Sequence, residues 1–146
     1  MNDKIIIYTD GACSGNPGAG GWGALVIEPT GETELYDGER LTTNNKMELT
    51  AVIKALEFIG DTKLPVELWT DSQYVKNGIT DWIKGWKKNG WRNSQKQPVK
   101  NKELWEKLDE LSSKFDISWN WVKGHNGHPE NERVDELARR GISELV

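Results

Sequence analysis

Two stretches of this chain finish alike. Ile5-Ile6-Ile7-Tyr8-Thr9 runs into Asp10, and Leu68-Trp69-Thr70 runs into Asp71. β-Branched and aromatic residues favour strands. The first run is apolar almost throughout, as a central strand covered on both faces should be. A carboxylate at the tip of a core strand is an unusual ending. Two such strands in one sheet would set two carboxylates at one edge, and carboxylate oxygens gathered there suit a hard divalent cation. A metal-dependent active site is therefore expected at that edge.

Three more residues, Glu48, Asp135 and His125, could join that chemistry, and some of the candidates have a plainer reading. Glu48 lies on the stripe Glu48, Val52, Ala55, Leu56 and Ile59 of a helix expected to start at Thr42-Thr43-Asn44-Asn45. It should face the sheet, but Asn45 and Glu48 also have capping-box spacing. Asp135 borders the apolar face of a last helix opened by Pro129, where a lone carboxylate is out of place. Asp71 itself could be only the N-cap of a helix over 72–79. His125 sits in a glycine-flanked loop, where an imidazole could handle protons or simply be structural. His125 and His128 do not read as a metal pair, since no Cys lies near them.

The elements that must position these groups follow from turn signals and periodicity. Residues 11–21 are rich in glycine and read as a flexible turn. Gly18, Gly20 and Gly23 match G-x-G-x-x-G, but that motif must open a helix, and residues 22–28 read as a second strand. Residues 32–42 make a third, so the first three strands are joined by hairpins and antiparallel. A fourth strand over 66–70 should lie parallel to the first. A helix follows Asn101, with Leu104, Trp105, Leu108 and Leu111 on its stripe. Clean alternation marks a fifth strand over 115–121.

Charge is unevenly spread. The 146 residues carry a net charge of −4, yet residues 82–100 hold Lys84, Lys87, Lys88, Arg92, Lys96 and Lys100 and no acid. Trp82, Trp86 and Trp91 are interleaved with these cations. The plain reading is a solvated basic helix anchored by core tryptophans; the other is a nucleic-acid surface, with rings that stack on bases or sugars among cations that seek phosphates. Length predicts a single domain over 1–146. The lone Cys13 cannot form an internal disulfide, which points to an intracellular setting, and the N-terminus does not read as a signal peptide. No apolar run reaches the roughly 20 residues of a membrane span.

Six pieces occur in fixed order: residues 5–12 (IIIYTDGA), 42–49 (TTNNKMEL), 70–75 (TDSQYV), 86–91 (WKKNGW), 122–125 (VKGH) and 131–138 (NERVDELA). Together they closely resemble ribonuclease H of type 1, in the bacterial form with a basic protrusion, here about residues 81–100. The resemblance spans about residues 4–142. It implies an α/β fold, a five-stranded mixed sheet flanked by helices, and endonucleolytic cutting of the RNA strand of an RNA/DNA hybrid to leave 3′-hydroxyl and 5′-phosphate ends. It further implies that Asp10, Glu48, Asp71 and Asp135 are catalytic and metal-holding, with His125 as the mobile-loop histidine. Cys13, Asn16, Thr43, Asn44, Asn45, Gln73 and Asn101 match hybrid-contacting positions, and Trp82 with nearby Lys87 and Lys88 matches the protrusion. Two features depart from the pattern: Leu41 stands where many relatives have a basic residue, with Arg40 one place earlier, and no long tail follows the last helix.

Four ionised carboxylates cannot sit together uncompensated. Oxygen-only ligands point to Mg²⁺, with Mn²⁺ as a substitute, and two such ions suit an in-line phosphodiester displacement. The expected partner is the hybrid alone, with no membrane and no obligate protein partner, acting as a cytoplasmic monomer. Two other readings remain: a DNA-cutting nuclease on the same sheet, and a hybrid-binding module without catalysis.

Overall fold

The computed structural model describes residues 3–93, 95–122 and 129–145. Five strands form one sheet: β1 (Ile5–Cys13), β2 (Gly18–Glu28), β3 (Gly31–Thr42), β4 (Val66–Thr70) and β5 (Ile117–Trp121), in the order β3-β2-β1-β4-β5. β1, β2 and β3 pair antiparallel, while β1–β4 and β4–β5 are parallel. This is the mixed sheet expected from the sequence.

Helix α1 (Asn44–Ile59) packs on β1 and β2, and α4 (Lys102–Ser112) packs on α1. Helix α5 (Pro129–Ser143) covers β1, β2 and β3. The larger core, with Ile5, Ile7, Leu49, Val52, Leu68 and Trp105, includes side chains of β1, β4, α1 and α4. A smaller one joins Leu25 to Val134 and Leu137 of α5. The central strand is thus covered on both sides, as its apolar run requires.

Three boundaries differ from the sequence reading. β1 does not stop at Asp10 but continues to Cys13, and β2 already begins at Gly18. The expected flexible stretch is therefore mostly strand, because its glycines serve close packing. A Cβ on Gly23 would lie 2.6 Å from the Val134 carbonyl oxygen, and one on Gly21 would collide with that of Ala138. Second, the helix after β4 runs well past residue 79. It passes from α2 (Gln73–Asn77) through a π-helical turn, Gly78–Trp82, into α3 (Ile83–Lys88). Gly78 does not end it; a side chain there would strike the Trp105 ring. Third, β5 starts at Ile117, not at residue 115.

The two ladders on β1 end at different places. The parallel ladder with β4 stops at Thr9–Thr70, whereas the antiparallel ladder with β2 goes on to Cys13–Gly20. Asp10 is the first residue of β1 past its β4 partner, and Asp71 is the first past β4 itself. The carboxylates share the edge where those two strands part.

Close packing of α5 on glycine makes a direct prediction. Gly21→Ala must push α5 away from β2, at a cost of about 1–3 kcal/mol, the usual range for overpacking. Urea denaturation measures the loss. Because Asp135 rides on α5, it should move away from the tips of β1 and β4 as well.

Candidate active site

Asp10, Glu48 and Asp71 each offer a carboxylate oxygen, and the three lie within 4.8 Å of one another. Asp10 and Glu48 are each only 4% exposed. Together with Asp135, Asn44, Asn45, Gln73 and Tyr74 they line an open cleft of about 380 Å³.

A different local device places each acid. Glu48 is not part of a capping box. Thr43 is the N-cap of α1, its Oγ1 accepting from the Lys46 amide at 3.2 Å. Glu48 Oε1 instead accepts from the Gly11 amide at 3.0 Å, and the same amide lies 2.9 Å from Asp10 Oδ1. One backbone N–H thus faces both acids. A Cβ on Gly11 would lie 2.5 Å from the Glu48 backbone nitrogen, so glycine lets α1 come this near to β1. Asp71 is not a cap either. Ser72 caps α2, with Oγ accepting from the Val75 amide at 3.1 Å. The Asp71 carbonyl accepts from Trp121 Nε1 at 3.1 Å, which ties β5 to this corner. Asp135 sits outside the tight threesome, on α5, with its side chain 21% exposed and an ion pair to Arg139 at 2.9 Å.

Crowding shows in the proton affinities. Burial, then the Asp71 charge, push the Asp10 carboxyl up to about 8, and Asp135 adds to the rise. Burial followed by the Asp10 charge raises Glu48 well above the usual carboxylate range. Without a cation to offset these effects, the two acids retain a proton where an exposed carboxylate would be ionised. Glu48 Oε2 is buried and receives no N–H among the described residues; its side-chain neighbour is the Asp10 carboxyl. A buried acceptor of that kind, in an all-oxygen set, fits a hard divalent cation.

The predicted substrate contacts form two rims. On one, Asn16 Oδ1 accepts from the Asn44 amide at 3.2 Å, and Cys13 Sγ lies 3.5 Å from the Thr42 carbonyl oxygen. Thr43, Asn44 and Asn45 continue this rim along the start of α1. On the other, Gln73 and Tyr74 lead to Trp82, whose ring is 5.8 Å from Tyr74 and 5.9 Å from Trp86. Trp82 is 40% exposed. Lys88 is exposed at the end of α3, and Lys87 pairs with Asp109 at 3.4 Å. Asn101 lines a neighbouring groove with Lys46 and Lys102. It precedes α4, but its side chain does not cap it. His125 falls outside the described residues. Sequence reasoning passed over Tyr74, which lines the cleft; its position two residues after the Ser72 cap was the available signal.

The chain matches the RNase H family over residues 2–143. It belongs to that family. It is 57% identical over 145 residues to ribonuclease HI of Neisseria meningitidis serogroup B, covering 99% of each chain. To ribonuclease H of Polynucleobacter asymbioticus it is 57% identical over 142 residues, covering 97% of this chain and 92% of that one. Among solved structures, LC9-RNase H1 is similar with a TM-score of 0.88 and 32% identity, over 100% of this chain and 75% of the other. LC11-RNase H1, solved in complex with an RNA/DNA hybrid, has a TM-score of 0.73 and 28% identity, covering 97% and 98%. RNase H membership makes the chain a nuclease, and its acidic cluster calls for a divalent cation.

The raised carboxyls set a pH dependence on the metal-free RNase H. Below about pH 4 these groups are protonated in both folded and unfolded chains. From about pH 4 to 8 the unfolded chain ionises while Asp10 in the fold keeps its proton, so stability should fall as pH rises through that window. Thermal melting in chelator should show this slope, and Glu48→Gln should flatten it. Added Mg²⁺ should raise the melting temperature more at pH 8 than at pH 5.

Proposed function

We propose that this RNase H cuts the RNA strand of RNA/DNA hybrids, with Asp10, Glu48, Asp71 and Asp135 holding two Mg²⁺ ions that Mn²⁺ can replace. The observation that carries the reading is the meeting of three acids from β1, α1 and the end of β4 within 4.8 Å. The wider support is that LC11-RNase H1, similar over nearly its whole length, was solved with such a hybrid. When bound, the two ions activate water and stabilise charge on the leaving 3′ oxygen of an in-line displacement. This gives 3′-hydroxyl and 5′-phosphate ends.

The protein's own groups choose the strand. Asn44 and Gln73 line the acidic cleft and, with the backbone near Cys13, can read a 2′-hydroxyl across the wide minor groove of an A-like helix. The DNA strand crosses Asn16, Thr43, Asn45, Asn101 and Trp82, with Lys87 and Lys88 on its phosphates. Such contacts position the duplex and carry little sequence information. Leu41 is 76% exposed beside this track and supplies no cation to it. His125 passes a proton at the leaving group or helps release product. The enzyme acts as a single domain and a cytoplasmic monomer.

A duplex labelled on each strand in turn tests the reading. With Mg²⁺, only the RNA strand should be cut; with chelator, neither. Cutting of DNA, or binding without cutting, would replace the proposal. Asp10→Asn should abolish turnover while the circular dichroism spectrum stays native. Lys87→Ala and Lys88→Ala should each weaken hybrid binding and lower the salt slope by up to about one, as expected for one lost phosphate contact.

A further inference from the structure

Asn101 is an anomaly at the start of a helix. Asparagine is among the best N-caps, yet here it makes no side-chain cap, and its φ is 60°, in the left-handed region. Its carboxamide is used elsewhere. Asn101 Nδ2 donates to the hydroxyl oxygen of Tyr74 at 3.1 Å, and Trp105 Nε1 donates to the same oxygen at 2.9 Å. Trp105 is fully buried, and an indole N–H can only donate. The Tyr74 hydroxyl is therefore fixed from the core side. Its ring is held by Trp105 at 5.3 Å and Trp82 at 5.8 Å.

We infer that Tyr74 is a positioning residue whose hydroxyl holds the Asn101 carboxamide away from the α4 cap and toward the strand that lies beside the acidic cleft. The inference rests on the proposed hybrid reading and extends it. The nitrogen of the amide is anchored, and among the described residues Asn101 makes no other side-chain hydrogen bond. Its carbonyl oxygen and second N–H remain for a ribose or phosphate in the groove it lines with Lys46 and Lys102. Tyr74 is also among the residues that line the cleft of the four acids. One residue thus joins the cutting cleft to the groove next to it, and its hydroxyl ties Asn101 to the core through Trp105.

Steady-state kinetics on a labelled hybrid test this. Tyr74→Phe keeps the ring contacts and removes the hydroxyl. It should raise KM about threefold to tenfold, as one lost hydrogen bond implies, with kcat within about a factor of two. Asn101→Gly should raise KM to a similar degree without lowering the melting temperature, because glycine is at ease at this φ. In the Asn101→Gly background, Tyr74→Phe should add little. Equal KM effects of Tyr74→Phe in both backgrounds would overturn the inference, as would an unchanged KM in Tyr74→Phe. If that variant melts early or fails to fold, Asn101→Gly still decides: unchanged KM, or lost stability, refutes the positioning role. Failure of the unmodified protein to cut the hybrid would sink the function reading instead.

Discussion

Like charges held close together in a half-dry cleft are the constraint around which this fold is arranged. Asp10 and Glu48 are almost wholly buried, and Asp71 stands within reach of both. Burial and mutual repulsion each favour the protonated acid, and a divalent cation reverses that preference. Holding these acids together thus carries an electrostatic cost that a bound cation would relieve. The remaining packing must hold the cleft in place, since the carboxylates would otherwise move apart.

The device that holds it is backbone approach. Gly11 lets the first turn of α1 meet β1, so one amide can face both Asp10 and Glu48. On the opposite face, Gly21 and Gly23 let α5 settle onto β2 and carry Asp135 to the cleft. Strand pairing adds the last part. β4 ends one residue before its acid, while β1 continues beside β2. The site is built where a parallel ladder stops and an antiparallel one goes on.

Aromatic packing gives the molecule its second organised region. Tyr74, Trp82, Trp86 and Trp105 form a chain of ring contacts between the cleft and the basic segment. Of the two readings of the tryptophans at the outset, core anchoring is seen in two of these three indole rings. Trp105 is core, and Trp86 is half-buried against it, while Trp82 keeps an exposed face. Core anchoring stiffens the helix that carries the cations.

Much of this was legible in residue order. Apolar runs marked the strands, the repeated Thr-Asp endings marked one sheet edge, and stripes on α1 and α5 placed Glu48 and Asp135 toward it. These signals are local, because side-chain period and strand propensity depend on near neighbours. Other features needed the third dimension. The glycines of residues 11–23 look the same in a turn and in a packed strand, and only the helices against them decide which. Asn45–Glu48 and Asp71 had capping alternatives that spacing alone could not reject; Thr43 and Ser72 take those roles because the chain turns there. Likewise, Trp105 leaves no room for a side chain at Gly78 and Tyr74 holds the Asn101 carboxamide, each pair being 27 residues apart in sequence. Sequence determined which groups could do chemistry, and tertiary packing decided how closely they stand, because distance between remote segments is set by what fits between them.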